Sequence, residues 1–63
     1  MPLTDAVVKL SGQDGNAFLI MGRVHNAIIT SNRPELKDKF MQEATSGDYD
    51  NLLQTCMKYV DVT

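Results

Sequence analysis

The only β-rich stretches of this chain lie at its two ends, residues 6–10 and 59–62. A lone strand leaves its backbone N–H and C=O groups unpaired, so each stretch needs the other. Everything between them reads as helix and turn. The order therefore predicts a β-α-α-α-β chain. It is an α+β domain, mostly α, with a three-helix core and a two-stranded sheet that ties the ends together. Residues 1–63 form one small domain, with residues 1–5 read as flexible.

Period-2 alternation puts Ala6, Val8 and Leu10 on one face of the first strand and Val7 and Lys9 on the other. Ser11-Gly12-Gln13-Asp14-Gly15-Asn16 is a dense turn cluster that closes the strand, with Asn16 or Asp14 as the N-cap of the next helix. A helix over residues 17–30 would align Ala17, Ile20, Met21, Val24, Ala27 and Ile28 on one side and Arg23, Asn26 and Thr30 on the other. Leu19 falls on the polar side, and Phe18 and Ile29 widen the apolar arc. Gly22 sits in mid-helix at a cost of about 1 kcal/mol relative to Ala, which a close helix–helix approach or a kink would explain.

Asn32 and Glu35 have capping-box spacing, and Pro34 suits a first helical turn. The second helix should cover residues 34–44, with Leu36, Phe40, Met41 and Ala44 inward and Lys37, Asp38, Lys39 and Glu43 in solvent. Gly47 is placed to end it in the left-handed conformation, and Asp48 to cap the third helix. That helix repeats Tyr49, Leu52, Leu53, Cys56, Met57 and Val60 on its inward side. Residues 59–62 read equally well as a last helical turn or a strand.

A domain of 63 residues buries only about 60% of the surface its unfolded chain exposes, so small folds usually carry a staple. One cysteine forms no internal disulfide, and one Cys with one His cannot supply the four ligands of structural zinc. Association with another chain is the staple that remains.

The formal charge is −2, and the six basic residues, Lys9, Arg23, Arg33, Lys37, Lys39 and Lys58, are interspersed with acids. This argues against a nucleic-acid partner, which calls for a Lys/Arg stripe. The first residues lack the basic and apolar regions of a signal peptide, and no apolar run approaches the ~20 residues of a membrane span. A cytoplasmic protein with no membrane partner is the expectation.

Gly12-Gln13-Asp14-Gly15 has the spacing of a G-x-x-G loop entering a helix, which can clamp a nucleic-acid backbone or hold an anion on helix N–H groups. Asp14 would place a carboxylate where the phosphate must lie, so a structural turn is the stronger reading. Asp14-Gly15-Asn16 lacks the ligand count and terminal Glu of a calcium loop. His25 with Cys56 or Asp48 could in principle form a nucleophile–base pair, but a thiol on a buried stripe behaves as a small hydrophobe. Asp48 and Asp50 fall in a first helical turn, where the macrodipole favours carboxylates. Phe18, Phe40, Tyr49 and Tyr59 are spread over three helices and form no stacking platform.

Residues 8–18, running Val8-Lys9-Leu10-Ser11-Gly12-Gln13-Asp14-Gly15-Asn16-Ala17-Phe18, and residues 44–50 with Leu52-Leu53-Gln54-Thr55 join two distinctive turn-to-helix junctions. On the strength of these segments the chain, across most of its length from Val8 to Val62, resembles a family of small uncharacterised proteins of bacteria and their phages. The resemblance implies a compact fold and a phage or mobile-element origin, and brings with it no functional residue.

The expected function is that of a small accessory protein acting by protein–protein association, first with its own copies, through Phe18, Leu19, Gly22 and Ile29. The alternative is weak ligand or nucleic-acid binding at Gly12, Asp14, Gly15 and Asn16. No enzyme chemistry, catalytic residue, cofactor or metal is expected.

Overall fold

A computed structural model describes residues 1–10 and 15–63. The chain runs through β1 (Val7–Val8), α1 (Ala17–Ile29), a 3-10 turn (Pro34–Leu36), α2 (Lys37–Ala44), α3 (Tyr49–Tyr59) and β2 (Asp61–Val62). This is the mostly α, β-α-α-α-β architecture read from the sequence. The two strands pair in parallel, Val7 with Asp61 and Val8 with Val62. Backbone bonds from Asp61 N to Ala6 O (2.9 Å), Thr63 N to Val8 O (2.9 Å) and Leu10 N to Thr63 O (3.0 Å) carry the pairing past the short strands. Val8 is buried and Val7 exposed, as alternation requires. The ambiguity at residues 59–62 resolves by residue: Tyr59 ends α3, Val60 turns into extended backbone, and Asp61 begins β2.

One core joins all the elements. Ile20, Val24 and Ile28 of α1 meet Phe40 and Ala44 of α2 and Leu52, Cys56 and Tyr59 of α3, with Val8 and Val60 closing the sheet end. The rings of Phe40 and Tyr59 meet edge to face, 5.5 Å between centroids at 78°. Such a pair adds roughly 0.5–1.5 kcal/mol beyond the area it buries. No helix is long and apolar enough to cross a membrane among the described residues.

The inward stripe of α3 is rotated from the one the sequence suggested. Tyr49 and Met57, expected inside, are 44% and 52% exposed, whereas Thr55 and Tyr59 are buried. Burial of Thr55 costs little because its hydroxyl donates to Asn51 O at 2.8 Å, so the residue enters the core with its polar group satisfied. Docking Tyr59 on Phe40 then sets the helix rotation.

Three junctions also depart from expectation. Asn32 does not cap the second helix. Its Oδ1 accepts from Asp5 N at 3.0 Å, and its N donates to Asp5 Oδ1 at 2.9 Å. The expected first turn of that helix is the 3-10 turn at Pro34–Leu36, whose N-cap Arg33 makes no side-chain cap bond. Gly47 does not take the left-handed conformation. It is small for another reason, since a Cβ there would lie 2.9 Å from Asn51 Cβ. The carbonyls at the end of α2 are met by hydroxyls instead, Thr45 Oγ1 to Met41 O at 2.7 Å and Ser46 Oγ to Glu43 O at 2.7 Å. Finally, residues 3–5, read from sequence as flexible, are hydrogen-bonded in place: Leu3 N and Thr4 N donate to Lys58 O and Tyr59 O, each at 3.0 Å.

Candidate interaction surface

The N-terminus of α1 is organised by Asn16, whose Oδ1 accepts from Phe18 N at 2.9 Å and Leu19 N at 3.4 Å. This occupies the helix N–H groups that an anion would need. Of the four residues expected for ligand binding, Asn16 is thus a cap. Gly15 is exposed and lies where a side chain would touch the Tyr49 hydroxyl, 3.4 Å away. Gly12 and Asp14 lie outside the described residues.

From this cap α1 divides into two faces. One carries Ile20, Val24 and Ile28 into the core. The other holds all four residues expected as an interface: Phe18 is 82%, Leu19 58% and Ile29 42% exposed, and Gly22 is exposed too. A Cβ on Gly22 would meet nothing within 4 Å, so within the chain no close helix–helix approach accounts for the glycine. Phe18, Leu19, Gly22, Arg23 and Asn26 line a shallow groove along this face. A second groove continues it between β1 and α1, lined by Val7, Val8, Lys9, Arg23, Asn26, Ala27 and Thr30.

Sequence reasoning missed part of this surface. Asn26 and the exposed Val7 belong to the grooves. The signal for Val7 was its place opposite Val8 in the alternation. For Asn26 it was a position beside Gly22 on the polar side of the helix.

A third, polar hollow lies between α2 and α3, lined by Glu43, Ser46, Asn51, Gln54, Thr55 and Lys58. Its groups already bond one another. Lys58 Nζ sits 3.2 Å from Glu43 Oε2, and Asn51 Nδ2 donates to Glu43 O at 2.8 Å. Glu43, expected in solvent, is half-buried by these contacts.

Cys56, the single cysteine, is fully buried, and burial pushes its thiol up to about 11. It is therefore protonated at neutral pH and a poor nucleophile. His25 is half-buried on α1, and no hydrogen bond joins it to Cys56 or Asp48. The buried Tyr59 phenol is likewise held above its ordinary pKa, by burial first and then by the Glu43 carboxylate. Among the described residues no group of three or more His, Cys, Asp or Glu side chains is placed to hold a metal.

No family model, curated protein or solved structure matches the chain. The functional reading therefore rests on its own residues.

Proposed function

We propose that the protein is a small accessory protein that works by protein–protein association, first with its own copies, through the outer face of α1. One observation carries this reading. Phe18, Leu19 and Ile29 remain exposed on a helix whose opposite face already fills the core. A large aromatic side chain left in water forgoes about 2–3 kcal/mol of burial. Phe18 and Leu19 at one end of this face and Ile29 at the other give an associating partner apolar side chains to cover. The small core and the absence of a disulfide point the same way.

Sedimentation velocity from low micromolar to millimolar concentration tests the reading. The wild-type chain is expected to sediment above its 7.0 kDa monomer mass as concentration rises. Leu19→Glu is expected to remain monomeric and fully folded, because residue 19 touches water and not the core. A wild-type monomer across the whole range would sink the self-association reading.

A further inference from the structure

We propose that two copies of the chain pair through antiparallel contact of their α1 helices about a two-fold axis, with Leu19 of each copy on Ile29 of the other and Gly22 on Asn26. This rests on the association reading above and names the partner, the register and one further residue, Asn26.

Leu19, Gly22, Asn26 and Ile29 are separated by three, four and three residues. That is the a/d seam along which two helices interlock. It runs along the side of α1 opposite Ile20, Val24 and Ile28, and all four of its residues are exposed. The exposure belongs to a well-collapsed chain: its surface is 3993 Å², close to the roughly 4000 Å² that scaling gives for a compact monomer of 7.0 kDa.

The seam complements its own reverse in side-chain size, large residues against large at its two ends and Asn26 against the open space over Gly22 between them, and a second copy supplies that pattern. A two-fold interface requires that if residue i meets residue j, then j meets i. Reversing the order gives Ile29, Asn26, Gly22, Leu19 with the same spacing, so an antiparallel copy matches position for position. Apolar side chains meet at both ends of the contact. In the middle, the Asn26 side chain enters the space left above Gly22, where a Cβ would meet nothing within 4 Å. The Asn26 carbonyl accepts from Thr30 Oγ1 within its helix, but its side-chain amide bonds no described residue and is available to the second copy. Parallel pairing would instead set Gly22 on Gly22, leaving a gap, and would align the two helix dipoles unfavourably.

Area sets the strength. A helix of 13 residues is about 20 Å long, and one face of it supplies roughly 400–500 Å², so the pair buries on the order of 1,000 Å² in total. This falls just under the roughly 1,200 Å² at which stable specific interfaces begin, so the pairing belongs with weak, concentration-dependent ones.

Charge-reversal rescue tests the register by sedimentation of the whole chain. Leu19→Glu alone and Ile29→Lys alone are each expected to weaken dimerisation at least ~100-fold, because each change occurs twice in the interface. An equimolar mixture of the two variants is expected to recover a dimer. In that mixed pair the new carboxylate at position 19 of one copy meets the new ammonium at position 29 of the other, while the remaining Ile29 and Leu19 stay paired. Matching circular dichroism melts for both variants would confirm that they fold. A wild-type dimer whose two variants fail to rescue each other would overturn the antiparallel seam while leaving association intact. A wild-type chain that stays monomeric would overturn both.

Discussion

The Thr4 hydroxyl donates to the backbone carbonyl of Tyr59 across 55 residues of sequence, at 2.7 Å. The same oxygen accepts from Ala6 N at 3.2 Å, and Thr4 N donates to the same Tyr59 carbonyl. One buried side chain thus caps the C-terminus of α3 and shapes the entry to β1.

Replacing Thr4 with Val keeps the shape and removes both hydroxyl bonds. Thr4→Val is expected to cost about 1–3 kcal/mol, since the partner groups are left under-satisfied in a buried site. Thr4→Ser should recover most of that loss. Urea denaturation of the three proteins checks this, and a Val variant as stable as the Ser variant would contradict it.

The reciprocal bonds between Asp5 and Asn32 make a second test. Asn32→Ala and Asp5→Ala should each destabilise by roughly 0.5–1 kcal/mol, and the double variant by little more than either alone. Glu35→Ala should have a smaller effect, because Glu35 forms only an exposed pair with Arg33. If the Glu35 change proved as costly as the Asn32 change, a capping box would be the better account.

Two glycines should respond in opposite directions. Gly47→Ala is expected to destabilise by about 1–3 kcal/mol, because its Cβ would press on Asn51 while that side chain is held by the Glu43 carbonyl. Gly22→Ala is expected to raise the stability of the monomer by up to about 1 kcal/mol. In the proposed dimer the added methyl would also crowd Asn26. Thermal melts at low concentration isolate the fold effect, and sedimentation isolates the pairing effect.

Alkaline titration probes the core. Cys56 rises from an ordinary 9.0 to about 11 on folding, so the folded chain holds that proton more tightly than the unfolded one. Stability is therefore independent of the thiol below about pH 8, where both states are protonated, and falls as pH rises through 9 towards 11. At about 1.4 kcal/mol per pKa unit the eventual loss is on the order of 2–3 kcal/mol. Tyr59, raised by burial and by Glu43, extends the decline upward. Cys56→Ala should flatten the urea midpoint between pH 8 and 10, whereas an unchanged slope in that variant would assign the loss to other groups.

Local patterns were enough for much of the fold. Asn16 and Asp48 are N-caps, as short polar residues before apolar runs should be, and the inward faces of β1, α1 and α2 follow their periods. The exposed arc of Phe18, Leu19 and Ile29 was legible too, because α1 carries more apolar residues than one buried stripe uses. These properties are set by neighbours three or four residues apart. Tertiary structure alone decided the rest. The rotation of α3 depends on Tyr59 meeting Phe40, the role of Asn32 on Asp5 lying beside it, and the smallness of Gly47 on Asn51 approaching its backbone. The parallel direction of the sheet belongs with them, since it follows from where three packed helices deliver the last strand. Each is a contact between residues that no local period relates, formed only once the helices pack.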